Sequence, residues 1–181
     1  MRRILSLLFI LFISAGTLSA QSRSAVEFST DVAIFVPSVA GAVVAFVEKD
    51  YEGMWQLVGS GAASVAAAYA LKYTVSKERP DGSDNHSFPS NHAGVAFAGA
   101  TFLQQRYGWK YAVPAYLVAG YVAWGRVYAR RHDAWDVLAG AAIGTGCAML
   151  LTTPFAREHK LSLVPFATLR GDAGVSLSAT F

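Results

Sequence analysis

The chain has 181 residues, 54% of them hydrophobic and 15% charged, with a formal net charge of +3. Such a composition suits one domain with ample apolar material for a core or a bilayer, and it excludes a disordered or low-complexity chain. Nucleic acid is excluded as a partner: without Arg2 and Arg3, which sit in a leader-like segment, 13 basic residues face 12 acidic ones, a net charge of +1.

Arg2 and Arg3, the apolar run Ile4–Ile13 and the small residues ending at Ser19-Ala20 read as a secretory signal cut after Ala20, with an uncleaved first membrane helix as the alternative. Beyond it, apolar segments at Asp31–Val47, Met54–Lys72, Asn91–Tyr107, Tyr111–Tyr128 and Asp133–Thr152 predict five helices, because they are long, rich in Ala and Leu, and lack period-two alternation. Pro37 interrupts the first. Arg79 to Asn85 reads as a flexible polar loop, Asn91 as the N-cap of the third helix, and Tyr107-Gly108 as its end. In the tail, Leu161–Phe166 and Val175–Phe181 partly alternate around a turn-like Arg170-Gly171-Asp172-Ala173-Gly174, which predicts a β-hairpin. The expected fold class is therefore all-α, about five helices with a short C-terminal hairpin, divided as residues 1–20 (signal), 21–156 (helical domain) and 157–181 (tail). The lone Cys147 excludes an internal disulfide and reads as a small packing residue.

A bilayer core needs about 20 apolar residues, and Met54–Leu71 and the segment from Trp135 approach that length. Tyr107, Trp109 and Tyr111 surround one loop like an interfacial belt, and Gly140 with Gly144 has the small-xxx-small spacing of close helix contact. Membrane embedding is the favoured expectation, with a soluble periplasmic bundle as the alternative. If the N-terminus is threaded outward, the ends of the second and fourth helices and the starts of the third and fifth share the outer side.

Those four ends carry the polar residues that matter. Lys72 is followed by Arg79-Pro80, with six residues between Lys72 and Arg79; Pro89-Ser90-Asn91-His92 opens the third helix; and Arg126, His132 and Asp136 lie across the turn between the last two. Three fixed cations, two imidazoles and one carboxylate constitute the inventory of a metal-free phosphoryl-transfer site, because a phosphate ester resists attack until its oxygens are neutralised. Asp136, four residues after His132, can face the imidazole from one helix and set its tautomer. Asp133 reads as a helix starter, Lys77 as a solvated charge, and Arg130 and Arg131 as residues outside the motifs. Asp81, Asp84 and His86 show no recognisable metal-ligand spacing.

These segments resemble the three signature motifs of the type 2 phosphatidic acid phosphatase (PAP2) superfamily, which also includes bacterial class A acid phosphatases and vanadium haloperoxidases. KxxxxxxRP is matched by Lys72, Arg79 and Pro80, PSGH by Pro89, Ser90 and His92, and SRxxxxxHxxxD by Arg126, His132 and Asp136. The resemblance implies a PAP2-type helical bundle without a cofactor or metal. It implies His132 as nucleophile, His92 as general acid and base, Asp136 as the residue orienting His132, and Lys72, Arg79, Ser90, Asn91 and Arg126 as phosphate binders. The implied activity is removal of phosphate from a lipid phosphate or other phosphomonoester at the periplasmic face of the membrane. A soluble broad-specificity acid phosphatase, a vanadium haloperoxidase and a non-enzymatic membrane scaffold remain as alternatives.

Two positions depart from the pattern: Asn91 stands for the usual Gly, and Gly125 for the usual Ser. Asn tolerates left-handed backbone, so the turn at 91 is expected to survive. Gly125 removes a hydroxyl, and Gly125→Ser is expected to raise turnover about tenfold.

Overall fold

The structure is a computed structural model that describes residues 22–155, together with the backbone of 161–167 and 173–179. The signal-like segment 1–20 lies outside the described residues. The described residues form six helices: α1 (Arg23–Ala33), α2 (Val36–Val47), α3 (Tyr51–Thr74), α4 (Asn91–Tyr107), α5 (Trp109–Tyr128) and α6 (Ala134–Leu151). In the tail, β1 (Leu161–Ala167) pairs antiparallel with β2 (Ala173–Ala179), Val164 opposite Ser176.

The first predicted helix begins earlier than expected and is two helices. Ser22 caps α1, its hydroxyl accepting from the Ala25 amide at 3.3 Å. Pro37 falls in the first turn of α2, where a missing N–H costs little. The third predicted helix is capped by Ser90 rather than Asn91: the Ser90 hydroxyl accepts from Ala93 N at 3.4 Å, and Asn91 becomes the first helical residue. Positive φ among the described non-glycine residues occurs at Lys49 and Arg130, so Asn91 does not need the left-handed freedom that was its expected advantage.

α4 is the central helix and packs against α2, α3, α5 and α6. Its buried residues are mostly small, Ala93, Gly94, Ala96, Ala98, Gly99 and Ala100, with Phe102 and Leu103 filling the space nearer its end. Small side chains let backbones approach, and α6 uses the same device. A Cβ at Gly140 would run into the Ser90 carbonyl oxygen, and one at Gly144 into that of Gly94. The Gly140/Gly144 spacing thus seats α6 directly on α4.

Helical periodicity decides which polar residues turn inward. The buried residues of α3 include Leu57, Ser60, Ser64, Ala68 and Lys72, and those of α5 include Ala112, Ala115, Ala119, Val122 and Arg126. Lys72 and Arg126 are the last members of these inward stripes, so each cation is delivered to the same end of the bundle by the packing of the apolar residues before it. At the opposite end, Asp50 receives a bidentate pair from Arg106 (2.7 and 2.6 Å) and the Tyr107 hydroxyl (2.6 Å), which ties the start of α3 to the end of α4. Tyr107 is therefore turned inward and Tyr111 stacks edge-on against it; of the expected belt at this loop, Trp109 alone is exposed.

The outer surface is apolar. Val32, Phe35, Val39, Val43, Phe46, Val113, Leu117, Leu138 and Leu150 are all exposed. On α3 the exposed aromatics sit near both ends, Tyr51 and Trp55 at one and Tyr69 and Tyr73 at the other, separated by about 27 Å at the helical rise. Among the described residues, two stretches are long and apolar enough to cross a membrane, Arg23–Val47 and Ala134–Leu151. Met54–Leu71, expected to approach the spanning length, lies in the 24-residue α3 but is not among them.

Gly125 faces α1, where a Cβ would run into Thr30 Cγ2 and lie 3.2 Å from Val26 Cγ1. The glycine is required by helix contact, and the tenfold gain expected of Gly125→Ser is corrected accordingly. That substitution should lower stability by about 1–3 kcal/mol through overpacking and leave turnover no faster. Thermal unfolding in detergent checks it, and an unchanged melting temperature with faster turnover would refute the packing argument.

Candidate active site

The three motif segments meet in a cleft of about 300 Å³ at one end of the bundle, lined by Tyr69, Lys72, Tyr73, Arg79, His86, Asn91, His92, Arg126 and His132. Six of these were singled out from sequence. Ser90 and Asp136 were too, but neither lines the cleft: Ser90 caps α4 from beneath, and Asp136 is fully buried behind His132.

Local structure explains the placement. α6 opens with a capping box in which Asp133 Oδ1 accepts from Asp136 N (3.0 Å) and Asp136 Oδ2 from Asp133 N (3.1 Å). Asp133 is thus the helix starter expected. The box holds Asp136 at the third helical position, where its carboxylate also accepts from the Ser87 hydroxyl and, at 2.7 Å, from Lys77 Nζ. Lys77 bridges to Asp133 Oδ2 at 2.6 Å as well, so it is an ion-pair partner rather than the solvated charge expected. The two carboxylates, through their hydrogen bonds, raise the Lys77 pKa against the opposing effect of burial. The carbonyl of Asp136 accepts from Ser90 N at 2.9 Å, joining the second motif to the third.

The loop between α3 and α4 is tied down, not flexible. Lys77 N donates to Asn85 O (3.0 Å), Ser87 N to Lys77 O (2.9 Å) and Arg79 N to Asp84 O (2.9 Å), and Gly82 supplies the positive φ for the turn. These bonds present Arg79 to the cleft. Its Nε donates to Asp84 Oδ2 (2.8 Å), and its NH1 donates to Arg131 O (3.0 Å) and lies 3.4 Å from His132 Nε2. Lys72 Nζ donates to His86 O at 2.7 Å. Arg131, which lies outside the motifs, clamps α1 to this loop through Glu27 (2.7 Å) and Asp81 (2.9 Å).

His132 is 3% exposed, with Nε2 toward Arg79 and Nδ1 3.6 Å from Asp136 Oδ2, within ion-pair range but beyond a hydrogen bond. Burial first, then the charges of Arg79, Lys72 and Arg126, push its pKa down to about 3. The ring is therefore neutral at physiological pH, as a nitrogen nucleophile must be. Arg126 Nε is buried without a hydrogen-bond partner.

Sequence reasoning missed Asp31. From α1 its Oδ1 lies 2.6 Å from Arg126 NH1 and 2.9 Å from His92 Nε2. A carboxylate at the head of an apolar run was the signal available. Tyr69 and Tyr73, one turn apart and beside Lys72, were also missed. Among the described residues no group of three or more His, Cys, Asp or Glu could hold a metal ion; Asp81 and Asp84 are instead paired with Arg131 and Arg79.

Comparison with known proteins agrees with this arrangement. The PAP2 superfamily pattern matches residues 53–160. The lipid A 4'-phosphatase of Helicobacter pylori is 32% identical over 136 residues, 69% of this chain and 68% of that protein. The crystal structure of Aquifex aeolicus LpxE superposes with a TM-score of 0.58 at 22% identity, covering 72% of this chain and 87% of that one. A transmembrane PAP2-type phosphatidylglycerolphosphate phosphatase from Bacillus subtilis superposes at 0.52, also with 22% identity, over 83% and 94%. With more than half of its length matched, and with its three motif segments meeting at one cleft, the chain belongs to the PAP2 superfamily.

Proposed function

We propose that the protein removes a phosphate from a membrane lipid through a phosphohistidine on His132, with its cleft at the periplasmic side of the membrane. The protein is a phosphatase, a phosphoric monoester hydrolase. The observation that carries the fuller reading is the convergence of Lys72, Arg79 and Arg126 with the two imidazoles on one cleft. A lipid substrate is supported by the apolar outer surface beside that cleft and by the relative that acts on lipid A. The periplasmic side is supported by the topology argued from sequence, with Arg23–Val47, though divided into α1 and α2, counted as a single crossing.

The geometry suits in-line transfer. His132 Nε2 would attack phosphorus while Lys72, Arg79 and Arg126 neutralise the equatorial oxygens, with first-turn amides of α4 as further donors. The unpartnered Nε of Arg126 is one donor ready for a phosphate oxygen. As the ester P–O bond breaks, His92 gives its proton to the leaving oxygen, then takes one from the water that hydrolyses the phosphohistidine. Ser90 holds the turn through its cap, its hydroxyl oxygen accepting from Ala93 N. Asp136 stabilises positive charge as it develops on His132.

His132→Ala should abolish turnover and the acid-labile, base-stable phosphoenzyme trapped by quenching. His92→Ala, given a substrate with a good leaving group, should still form that adduct and hydrolyse it slowly. Labelled adduct persisting in His132→Ala would overturn the assignment.

Three cations in the cleft do the neutralising work of a divalent ion, so chelator should leave the rate nearly unchanged. Vanadate should inhibit as a trigonal-bipyramidal mimic. Loss of activity in chelator, restored by one specific metal, would refute this.

Because the folded-state pKa of His132 is depressed to about 3 from about 6.5 in the unfolded chain, the unfolded state binds the extra proton between those values. Stability should therefore be fully present above pH 6.5 and fall as the pH drops toward 3. Melting temperatures across that window should fall less steeply for His132→Asn than for the natural protein, and equal slopes would contradict a buried neutral imidazole.

A further inference from the structure

We propose that Asp31 is a positioning residue for His92: its carboxylate engages Nε2 and favours the imidazolium form, so that Nδ1 can deliver its proton to the leaving group. This inference rests on the phosphatase reading of the cleft. It assigns a task to α1, which carries none of the three motifs.

His92 is surrounded by groups that oppose a second positive charge. Arg126 reaches the same Asp31 oxygen from α5, Arg79 enters from the tied loop, and Lys72 lines the cleft from α3. The remaining polar neighbours on the cleft wall, His86, His132, Asn91, Tyr69 and Tyr73, bring no carboxylate. A phosphatase of this design therefore faces a conflict. Burial first, and then the cations that bind the phosphate, drive the proton off the imidazole that must protonate the leaving oxygen. Asp31 Oδ1, 2.9 Å from His92 Nε2, counters them.

The placement of Asp31 suits positioning rather than occupation of the phosphate site. It does not line the cleft, and its side chain is 46% exposed at the rim. Its position is secured from both sides. Arg126 holds Oδ1 at 2.6 Å, and Arg131 anchors the same helix one turn earlier through Glu27. The two histidines then have matching arrangements of opposite effect. His132 is kept neutral beside a carboxylate whose charge is shared with Lys77, whereas at His92, whose pKa burial and then Arg126 push down, a carboxylate shared with Arg126 works against that fall.

The test compares the natural protein with Asp31→Asn and Asp31→Glu on an alkyl phosphate and on 4-nitrophenyl phosphate, whose leaving group needs little protonation. For Asp31→Asn, kcat on the alkyl ester should fall about tenfold, and the alkaline limb of its pH profile should move down by about one unit. The aryl ester should be nearly unaffected, and Asp31→Glu should regain most of the lost rate. Equal losses on both esters with an unmoved alkaline limb would reduce Asp31 to a tether and overturn the proposal. A faster Asp31→Asn enzyme with lower KM would overturn it too, since the carboxylate would then be a competitor for the phosphate subsite. If the natural protein releases phosphate from neither ester nor from any lipid phosphate, the phosphatase reading fails first, independently of Asp31.

Discussion

The carboxylate of Asp136 is where the parts of the cleft are fastened together. One oxygen takes Lys77, the other takes Ser87 and the Asp133 amide, and the residue's own carbonyl takes the Ser90 amide. The loop bearing Arg79, the start of α4 bearing His92 and the start of α6 behind His132 are all joined to this one fully buried residue. An isolated carboxylate at such depth would be costly to desolvate. Its partners offset that cost, and their geometry fixes three chain segments relative to one another.

The site is also an exercise in balancing charge. Phosphate chemistry asks for cations at close range, yet cations packed together repel one another and discharge nearby imidazoles. Each arginine of the cleft has a carboxylate within reach, Arg79 with Asp84 and Arg126 with Asp31. Lys72 instead donates to the His86 carbonyl. This arrangement offsets the positive charge of the cleft while leaving donors such as Arg126 Nε for an incoming anion.

Packing makes room for this chemistry. α4 can reach its neighbours closely because its contact residues are alanine and glycine, and that closeness brings four helix ends to one cleft. Many bulky apolar side chains lie on the outside instead, an arrangement suited to a lipid surround, where burying them against one another brings no advantage. The polar lock of Asp50 and Arg106 closes the far end of the same helix.

Much of this was legible in the sequence. Residue type and spacing along the chain determined the helical character, the motif residues and the C-terminal hairpin, because periodicity and turn chemistry are local properties. Lys72 and Arg126 could be placed on inward stripes by counting from the apolar residues before them. Contacts between distant segments could not be obtained this way. Gly125 read as a missing hydroxyl until α1 was found against it, Lys77 read as a solvated charge until α6 supplied two carboxylates, and Asn91 read as the N-cap of its helix until the Ser90 hydroxyl was found in that place. Asp31 lies 61 residues before His92 and 95 before Arg126, and no local pattern links them. Chain spacing specifies which face of a helix a side chain occupies, whereas the identity of the group opposite it depends on how the helices pack, and that was decided by the tertiary structure alone.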